Sequence, residues 1–386
     1  MASVLKRAGY KTIFKDYQTY RNNKKLDPLT FSCFLKVEAD IIGISVQSGQ
    51  LSTVLAGIAI FKKNNSDKTI ILGGPSALDT PLEIIKNFPV DFIIIGEGEK
   101  TIVDLMRKIE AKKNYKKIKG IAFRDKNFNY VITEKRSRIR NLDILPFPAY
   151  EDINFKNYNN RALILTSRGC PYRCDFCSVH SIWEHKTTFR SNKNIIDELL
   201  LLKDKGIKEI FFFDNTFVCN RKKIYNLLKI MKKSNFNLPW YCTGRINLMD
   251  DDYLSFLRDH GCKSLYCGIE SGSNKILKKI HKGFSIELAR KIIEKSSYYI
   301  PMIETSYIWG YPYETLNDFK MTVNSILEDQ KLINVMPSFK MLTPLPQTAI
   351  YKQYKKNLSF NEMINFGLSR IPFNDRLSNY PSLVYL

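Results

Sequence analysis

Short apolar runs alternate with longer amphipathic segments along most of this 386-residue chain, and this alternation constrains the fold more than any other feature. Runs that are apolar throughout are typical of strands buried on both faces of a parallel sheet, and the segments between them have the period of helices. No run approaches the roughly 18 consecutive apolar residues of a membrane-spanning helix. The pattern predicts a soluble α/β protein without a membrane span.

The N-terminal part, which we predict to be one domain over residues 1–112, has three such runs: ADIIGIS (39–45), TIILGG (69–74) and DFIIIG (91–96). Amphipathic segments at 51–63 and 81–88 lie between the runs and predict crossover helices. Because a helix links each strand to the next, we expect a doubly wound parallel sheet of the Rossmann or flavodoxin type.

Residues 113–160 do not continue this alternation of strands and helices. Two strand-like runs around the turn residues 125–127 predict a hairpin, and the stretch LPFPAY (145–150) indicates a linker. From 161 to 345 the alternation returns, with strand candidates at 163–166, 209–213, 240–245, 264–269, 302–309 and 338–342. Helix candidates lie between them, for example at 194–205, 221–234 and 315–328. Six such repeats predict a partial (β/α)6 barrel of the TIM type, with its chemistry at the carboxyl ends of the strands. Residues 346–386 are expected to form a short C-terminal extension.

Three of the eight cysteines, Cys170, Cys174 and Cys177, lie close together directly after the first predicted barrel strand. Cysteines this sparse do not build a disulfide scaffold, and the close set suits metal ligation in a reducing, cytoplasmic compartment. Thiolates are the usual ligands of iron–sulfur clusters, and three of them leave one iron of a 4Fe-4S cube open. A zinc site that adds His180 and His185 is the alternative.

The segment TSRGCPYRCDFCSVH (166–180), with Phe176 just before the third cysteine, resembles the signature of the radical S-adenosylmethionine (radical SAM) superfamily. The resemblance implies that the three cysteines hold a 4Fe-4S cluster whose open iron binds S-adenosylmethionine. It implies an enzyme that cleaves this cofactor reductively to a 5'-deoxyadenosyl radical, with flavodoxin or ferredoxin as a reductant. The substrate is expected to be a small molecule, which the sequence does not name.

Further segments resemble the cofactor contacts of that family, in the same order along the chain. The resemblance implies cofactor-binding roles for Phe176, Asp214, Asn215, Arg245, Glu270, Ser271, Ile308 and Gly310. Glu314, in YIWGYPYET (307–315), also matches the family pattern beside the adenine. Taken singly, each has a structural alternative: Asp214 caps a helix, Arg245 pairs with an acid, and Gly310 turns the chain. Tyr313 departs from the family pattern, which has glycine at this position. No residue is assigned to the catalytic step on the substrate.

The N-terminal domain resembles the cobalamin-binding domain that precedes many radical SAM enzymes, through GISVQSG (43–49), LGGPSA (72–77) and GEGEKT (96–101). The resemblance implies that Ser45, Gly73 and Gly74 line a crevice for the nucleotide tail, where glycines permit close approach. The alternative is a strand-end turn. The Asp-x-His-x-x-Gly loop and the first strand of that domain are missing, so cobalamin binding is left open.

Three functions follow from these features. The first is a radical SAM enzyme that transfers a methyl group if cobalamin is bound and otherwise performs a radical rearrangement or cyclisation. The second is tRNA methylthiolation, suggested by the net charge of +22, but it needs three N-terminal cysteines where this chain has only Cys33. The third is a non-catalytic cobalamin or nucleic-acid binding module with a vestigial cluster. Because the lysines are scattered along the chain, we favour a solvated surface over a nucleic-acid footprint.

Overall fold

The computed structural model describes residues 1–20, 27–46, 50–78, 80–343, 345 and 347–354. Residues 47–49 of the GISVQSG segment and most of the predicted C-terminal extension lie outside this range. The chain divides into two compact units, of which Met1–Asn154 and Phe155–Pro344 are the main parts. The finer domain boundaries at 112 and 160 stay a prediction.

The first unit has six helices and five strands among its described residues. The helices are α1 (Ala2–Arg7), α2 (Tyr17–Tyr20), α3 (Pro28–Phe34), α4 (Leu51–Lys62), α5 (Pro81–Asn87) and α6 (Gly98–Glu110). The strands are β1 (Ile41–Ser45), β2 (Thr69–Gly73), β3 (Phe92–Ile94), β4 (Ile121–Arg124) and β5 (Tyr130–Ile132).

These five strands form one sheet in the order β1-β2-β3-β4-β5. The first three are parallel and the last two add an antiparallel hairpin, as predicted. Side chains alternate between two apolar clusters along β2: Ile70 and Leu72 pack with α4 and α5, whereas Ile71 packs with α6. Helices therefore cover both faces of the sheet, which explains why its strands read as unbroken apolar runs.

The second unit has eight helices and eight strands among its described residues. The helices are α7 (Val179–Trp183), α8 (Asn192–Asp204), α9 (Arg221–Lys233), α10 (Asp251–Asp259), α11 (Asn274–Lys279), α12 (Ile286–Tyr299), α13 (Leu316–Gln330) and α14 (Ala349–Tyr354). The strands are β6 (Arg161–Ile164), β7 (Ser167–Arg168), β8 (Thr188–Phe189), β9 (Glu209–Phe212), β10 (Trp240–Gly244), β11 (Cys262–Glu270), β12 (Met302–Trp309) and β13 (Val335–Met341).

Six of these strands form a parallel sheet in the order β13-β12-β11-β10-β9-β6, and β7 and β8 form a separate ribbon. Each strand of the large sheet pairs with the next one along the chain, which is the topology of the predicted (β/α)6 barrel. The crossover helices begin sharply because a polar side chain caps each of them. The caps are Ser191, Asn220, Asp250, Ser273, Ser285 and Thr315.

Two strand limits differ from the prediction for identifiable reasons. The first barrel strand ends at Ile164 rather than Thr166, because Thr166 and Ser167 turn their polar groups to Asp214. The strand predicted over 338–342 begins earlier, at Val335, where it pairs with Ile303 of β12. Both differences come from contacts between distant segments, which local patterns do not report.

Candidate functional site

The three cysteines lie on the loop between β7 and α7, next to the carboxyl end of β6. We call residues 169–178 the cysteine loop. Gly169 starts it with a φ of +102°, and a Cβ there would lie 2.1 Å from the carbonyl oxygen of Lys186. Only glycine meets both conditions without local rearrangement. Cys174 is buried, whereas Cys170 and Cys177 are half-buried.

The thiols on this loop are close enough to affect one another electrostatically. Burial raises the pKa of Cys177 to about 11, and the neighbouring Cys174 and Cys170 add to this rise. A metal centre would reverse the balance, because a coordinated thiol loses its proton. The set therefore suits a cationic cluster better than it suits three free thiolates.

The zinc alternative gains no support from the ligand geometry. Over the described ranges, no three His, Cys, Asp or Glu side chains are arranged around a single ion. His180 and His185 instead stack on each other with ring centroids 4.9 Å apart. A 4Fe-4S cube differs from a single ion because each thiolate binds a separate iron. The donor set therefore fits a cluster.

Asp214 and Asn215 follow β9 and hold the chain that enters the cysteine loop. The Asp214 carboxylate accepts hydrogen bonds from Thr166 N (3.1 Å), Thr166 Oγ1 (2.9 Å) and Ser167 Oγ (2.5 Å). Burial raises the pKa of Asp214, and these hydrogen bonds oppose the rise. Asn215 Oδ1 accepts from Gly169 N at 3.3 Å. Both side chains therefore act on the loop, and their predicted contact with the cofactor stays a prediction.

Arg245, which follows β10, reaches the second cysteine. One of its terminal nitrogens lies 3.6 Å from Cys174 Sγ, and its guanidinium lies 3.8 Å from the centroid of the Tyr172 ring. The side chain is buried, and its Nε has no hydrogen-bond partner. A buried cation with a free donor beside a thiol is suited to an anionic cofactor group.

Glu270 ends β11 in an unusual backbone conformation. Its φ is +79°, and the pairing of β11 with β12 shifts register between Gly268 and Glu270. The Glu270 carboxylate accepts a hydrogen bond from Lys282 Nζ at 3.0 Å, and a Cβ on Gly268 would lie 2.0 Å from that same carboxylate. Bulges and left-handed residues of this kind re-aim side chains at active sites.

Ser271 and Ile308, two further predicted contacts, differ in their surroundings. Ser271 is fully buried, and its hydroxyl lies 3.1 Å from that of Thr322 on α13, so it ties the end of β11 to a helix. Ile308 is half-buried between Tyr307 and Trp309, which are both buried. Because side chains alternate along a strand, Ile308 points to the sheet face opposite to these two residues.

The loop after β12 carries a cluster of buried polar groups. Gly310 N donates to one carboxylate oxygen of Glu314, while the other oxygen has no partner. Burial raises the pKa of Glu314 to about 7. The hydroxyls of Tyr311 and Tyr313 are also buried and without partners, and the Tyr311 ring contacts Phe176 of the cysteine loop at 6.3 Å between centroids.

Buried polar atoms without partners thus collect near the cysteine loop. They are Arg245 Nε, Tyr311 OH, Tyr313 OH and Glu314 Oε1. Each such atom lowers the stability of the fold by about 1–3 kcal/mol unless a ligand or water forms a hydrogen bond with it. Together they offer donors and acceptors at the carboxyl ends of β10 and β12, where a partial barrel binds its ligand. A zwitterionic nucleoside such as S-adenosylmethionine fits this set.

In the first unit, Ser45 and Gly73 are register partners at the carboxyl ends of β1 and β2. Gly74 has a φ of +93°, and a Cβ there would lie 2.6 Å from Val46 O, so its glycine is required by the backbone itself. A Cβ on Gly73 would meet only Ile94, at 4.0 Å, which leaves this edge open. Ser76 adds a buried hydroxyl without a partner. The edge therefore fits a polar ligand, such as the nucleotide tail of cobalamin.

Several residues of these sites were missed in the sequence analysis. They are Tyr172, Thr216, Lys282, Tyr311 and Ser76. Tyr172 and Ser76 lie inside quoted motifs and Tyr311 follows Gly310, so their neighbours were the available signal. For Lys282 the sequence offered no signal, because its partner Glu270 lies on another element.

No helix in the described parts of the chain has the length and apolar character needed to cross a membrane.

Comparison with known proteins supports this account. Residues 164–326 match the family model described as the radical SAM superfamily. An uncharacterized methyltransferase of Pyrococcus horikoshii is 28% identical over 84% of this chain and 72% of its own length. The anaerobic magnesium-protoporphyrin IX monomethyl ester cyclase of Rubrivivax gelatinosus is 24% identical over 92% of this chain and 65% of its own length.

Solved structures extend the likeness to the fold of both units. The radical S-adenosylmethionine methyltransferase TsrM from Kitasatospora setae, solved with cobalamin and a [4Fe-4S] cluster, has a TM-score of 0.75. It is 16% identical, and the match covers 92% of this chain and 74% of that one. The predicted fold class is confirmed. The match to the radical SAM superfamily spans residues 164–326, the part of the second unit that contains the cysteine loop and strands β9 to β12.

Proposed function

We propose that this protein is a cobalamin-dependent radical SAM methyltransferase whose 4Fe-4S cluster is held by Cys170, Cys174 and Cys177. When bound, the cluster supplies the electron that cleaves S-adenosylmethionine to methionine and a 5'-deoxyadenosyl radical, and cobalamin carries the methyl group. The observation that carries the proposal is the collection of unpartnered buried polar atoms around the cysteine loop.

The chain's own residues bind and orient the cofactor. Arg245 presents its free Nε beside Cys174, where it would pair with the carboxylate of S-adenosylmethionine. The Lys282–Glu270 pair keeps a carboxylate fixed at the end of β11. Tyr311 and Glu314 offer a hydroxyl and a carboxyl to the nucleoside. Because these groups are already buried, little water has to be removed when the ligand enters.

Two observations favour methyl transfer over rearrangement. Ser45 and Gly73 lie at the carboxyl ends of β1 and β2 in the first unit, and the buried Ser76 hydroxyl that follows β2 has no partner, so this edge suits the cobalamin tail. The relatives include a methyltransferase, and the structural neighbour TsrM is a methyltransferase solved with cobalamin. Radical cyclisation is the second candidate, and it rests on the relationship to the Rubrivivax cyclase. The relatives are longer than the matched part, and the substrate is not identified.

The proposal includes a reductant and a location. A flavodoxin or ferredoxin is proposed as the electron donor, because an S-adenosylmethionine-cleaving cluster needs a low-potential electron. The cytoplasm is proposed as the compartment, because it keeps thiols reduced. The substrate is proposed to be a small molecule. Nucleic acid is the less favoured partner, since the positive charge is not gathered into one segment.

The test is anaerobic reconstitution of the full chain with iron and sulfide, followed by addition of S-adenosylmethionine, hydroxocobalamin and a reductant. We expect iron–sulfur absorption, formation of 5'-deoxyadenosine, and a changed cobalamin spectrum. Cys174→Ser should lose the first two, whereas Cys33→Ser, an exposed thiol of the first unit, should keep them. A wild-type protein that binds no cluster would refute the proposal. A cluster without cobalamin binding would leave cyclisation as the function.

A further inference from the structure

The Asp214-Asn215-Thr216 segment after β9 contacts the entry to the cysteine loop step by step. Asp214 binds Thr166 and Ser167 as described above, and Asn215 Oδ1 accepts from the amide of Gly169. Thr216 then contacts the next residue, which is the first cysteine. Three consecutive side chains thus hold residues 166–170, and we call residues 214–216 the clamp.

The clamp is itself fixed in place. The Asp214 carbonyl accepts a hydrogen bond from Thr243 Oγ1 on β10, and the Asp214 side chain is only 1% exposed. Thr216 is 6% exposed. A buried and hydrogen-bonded segment transmits its position to whatever it holds, since it has few alternative conformations. The clamp therefore determines where the first cysteine lies.

The Thr216 hydroxyl has two neighbours but only one proton. Its oxygen lies 3.4 Å from Cys170 Sγ and 2.7 Å from the carbonyl oxygen of Asn215. While Cys170 is a thiol, its S–H can donate to the hydroxyl oxygen, and the hydroxyl donates to the carbonyl. A cysteine that binds iron has lost its proton and can only accept. Rotation of the hydroxyl about its C–O bond then brings the proton to the sulfur.

We propose that the clamp positions Cys170 and that the Thr216 hydroxyl donates to the ligated Cys170 sulfur, thereby raising the reduction potential of the cluster. Hydrogen bonds to cluster sulfurs are one of the main determinants of such potentials, because they stabilise the more negative, reduced state. The inference rests on the proposed function for the presence of the cluster. Thr216 is a positioning residue, since it acts through Cys170.

The first test compares Thr216→Val with Thr216→Ser in the anaerobically reconstituted full chain. Valine keeps the branched shape and removes the hydroxyl, whereas serine keeps the hydroxyl. The midpoint potential of the cluster is measured by redox titration followed by electron paramagnetic resonance. We expect a shift to more negative potential in Thr216→Val and a value close to wild type in Thr216→Ser.

Each outcome of this test decides between the alternatives. An unchanged potential in Thr216→Val overturns the role of the hydroxyl. If Thr216→Val fails to bind the cluster, Thr216→Ser decides: retention of the cluster with serine supports the hydroxyl contact, and loss with both variants overturns it. A wild-type chain without a cluster refutes the proposed function, which is a separate result.

The second test needs no cluster. Asp214→Asn replaces one accepting oxygen by an amide that cannot accept from Thr166 or Ser167. In the apoprotein we expect amide hydrogen exchange over 166–170 to be roughly tenfold faster, because the segment opens more readily. Asp197→Asn, which changes an exposed ion pair with Lys193 on α8, is the control and should leave this exchange unchanged. Unchanged exchange in Asp214→Asn would overturn the clamp.

Discussion

Lys282 and Glu270 form a buried ion pair with 3.0 Å between Nζ and Oε1, at the point where β11 ends in a left-handed residue. The Lys282 ammonium also lies 5.8 Å from the ring centroid of Phe176 on the cysteine loop. The pair therefore joins the end of a barrel strand to the loop that carries the thiols. Neither charge has water to stabilise it if the other is removed.

Lys282→Met should destabilise the protein by about 3–5 kcal/mol, because it leaves the Glu270 carboxylate buried without a partner. The matched control is Lys331→Met, which removes an exposed pair with Glu328 and should change stability far less, because water screens that pair. The measurement is the free energy of unfolding in urea. The double variant with Glu270→Gln should recover part of the loss. Equal losses in the two lysine variants would contradict the expected cost of leaving Glu270 buried without a partner.

Glu314 should make stability depend on pH. Its folded-state pKa of about 7 lies above the ordinary value of 4.5, because burial disfavours the carboxylate. The folded state therefore holds the proton more tightly, and the stabilisation is fully present below about pH 4.5 and is lost as the pH rises through 7. Glu314→Gln lacks this dependence. Between pH 5 and 8, the stability of the wild type relative to this variant should fall by on the order of 2 kcal/mol.

Urea unfolding at both pH values measures this change. Asp197→Asn serves as the control, because its exposed carboxylate pairs with Lys193 on the surface. A constant difference between wild type and Glu314→Gln across this range would contradict the raised pKa of Glu314.

Gly169→Ala should disrupt the cysteine loop through steric overlap as well as through φ. The added Cβ would lie 2.1 Å from Lys186 O, and we expect a loss of roughly 3 kcal/mol together with reduced iron content after reconstitution. Gly206→Ala separates the two effects. Gly206 also has a positive φ, of +79°, but its Cβ would meet open space, so only about 1 kcal/mol should be lost. Similar losses in both variants would exclude the overlap as the cause.

Ser76→Ala should separate ligand binding from stability in the first unit. The Ser76 hydroxyl is buried without a partner, so its removal should leave the apoprotein as stable or make it about 1 kcal/mol more stable. If the hydroxyl binds the cobalamin tail, affinity for hydroxocobalamin should fall about tenfold in a spectroscopic titration. Reduced stability of the apoprotein would show that the hydroxyl has a structural partner instead.

The regular elements could be predicted well from the sequence, because each barrel strand and helix carries its own pattern. The strand predicted over 302–309 is observed with the same limits, and the helix predicted over 221–234 ends one residue earlier, at Lys233. The cysteine set could be recognised because its three members are close together in the chain. These are local signals, and local signals are what a single sequence contains.

The contacts that hold the site together could not be predicted. The hydrogen bonds from Thr166 and Ser167 to the Asp214 carboxylate join residues 48 and 47 positions apart, and no local pattern indicates them. The pairing of Lys282 with Glu270 depends on the bulge in β11, and no sequence pattern predicts that bulge. Such pairings are decided by how segments meet in space, where side-chain burial and hydrogen bonding outweigh local preference.

The sequential order of the barrel strands has a consequence for the nascent chain. The cysteine loop follows the first of these strands, yet its partner Arg245 lies 71 residues beyond Cys174, and Tyr311 lies further still. At synthesis rates of about 5–20 residues per second, the three thiols leave the ribosome several seconds before the residues that cover them. During that interval they are accessible to iron–sulfur delivery and equally to oxidants, so oxygen present during translation would damage this site before the fold could protect it.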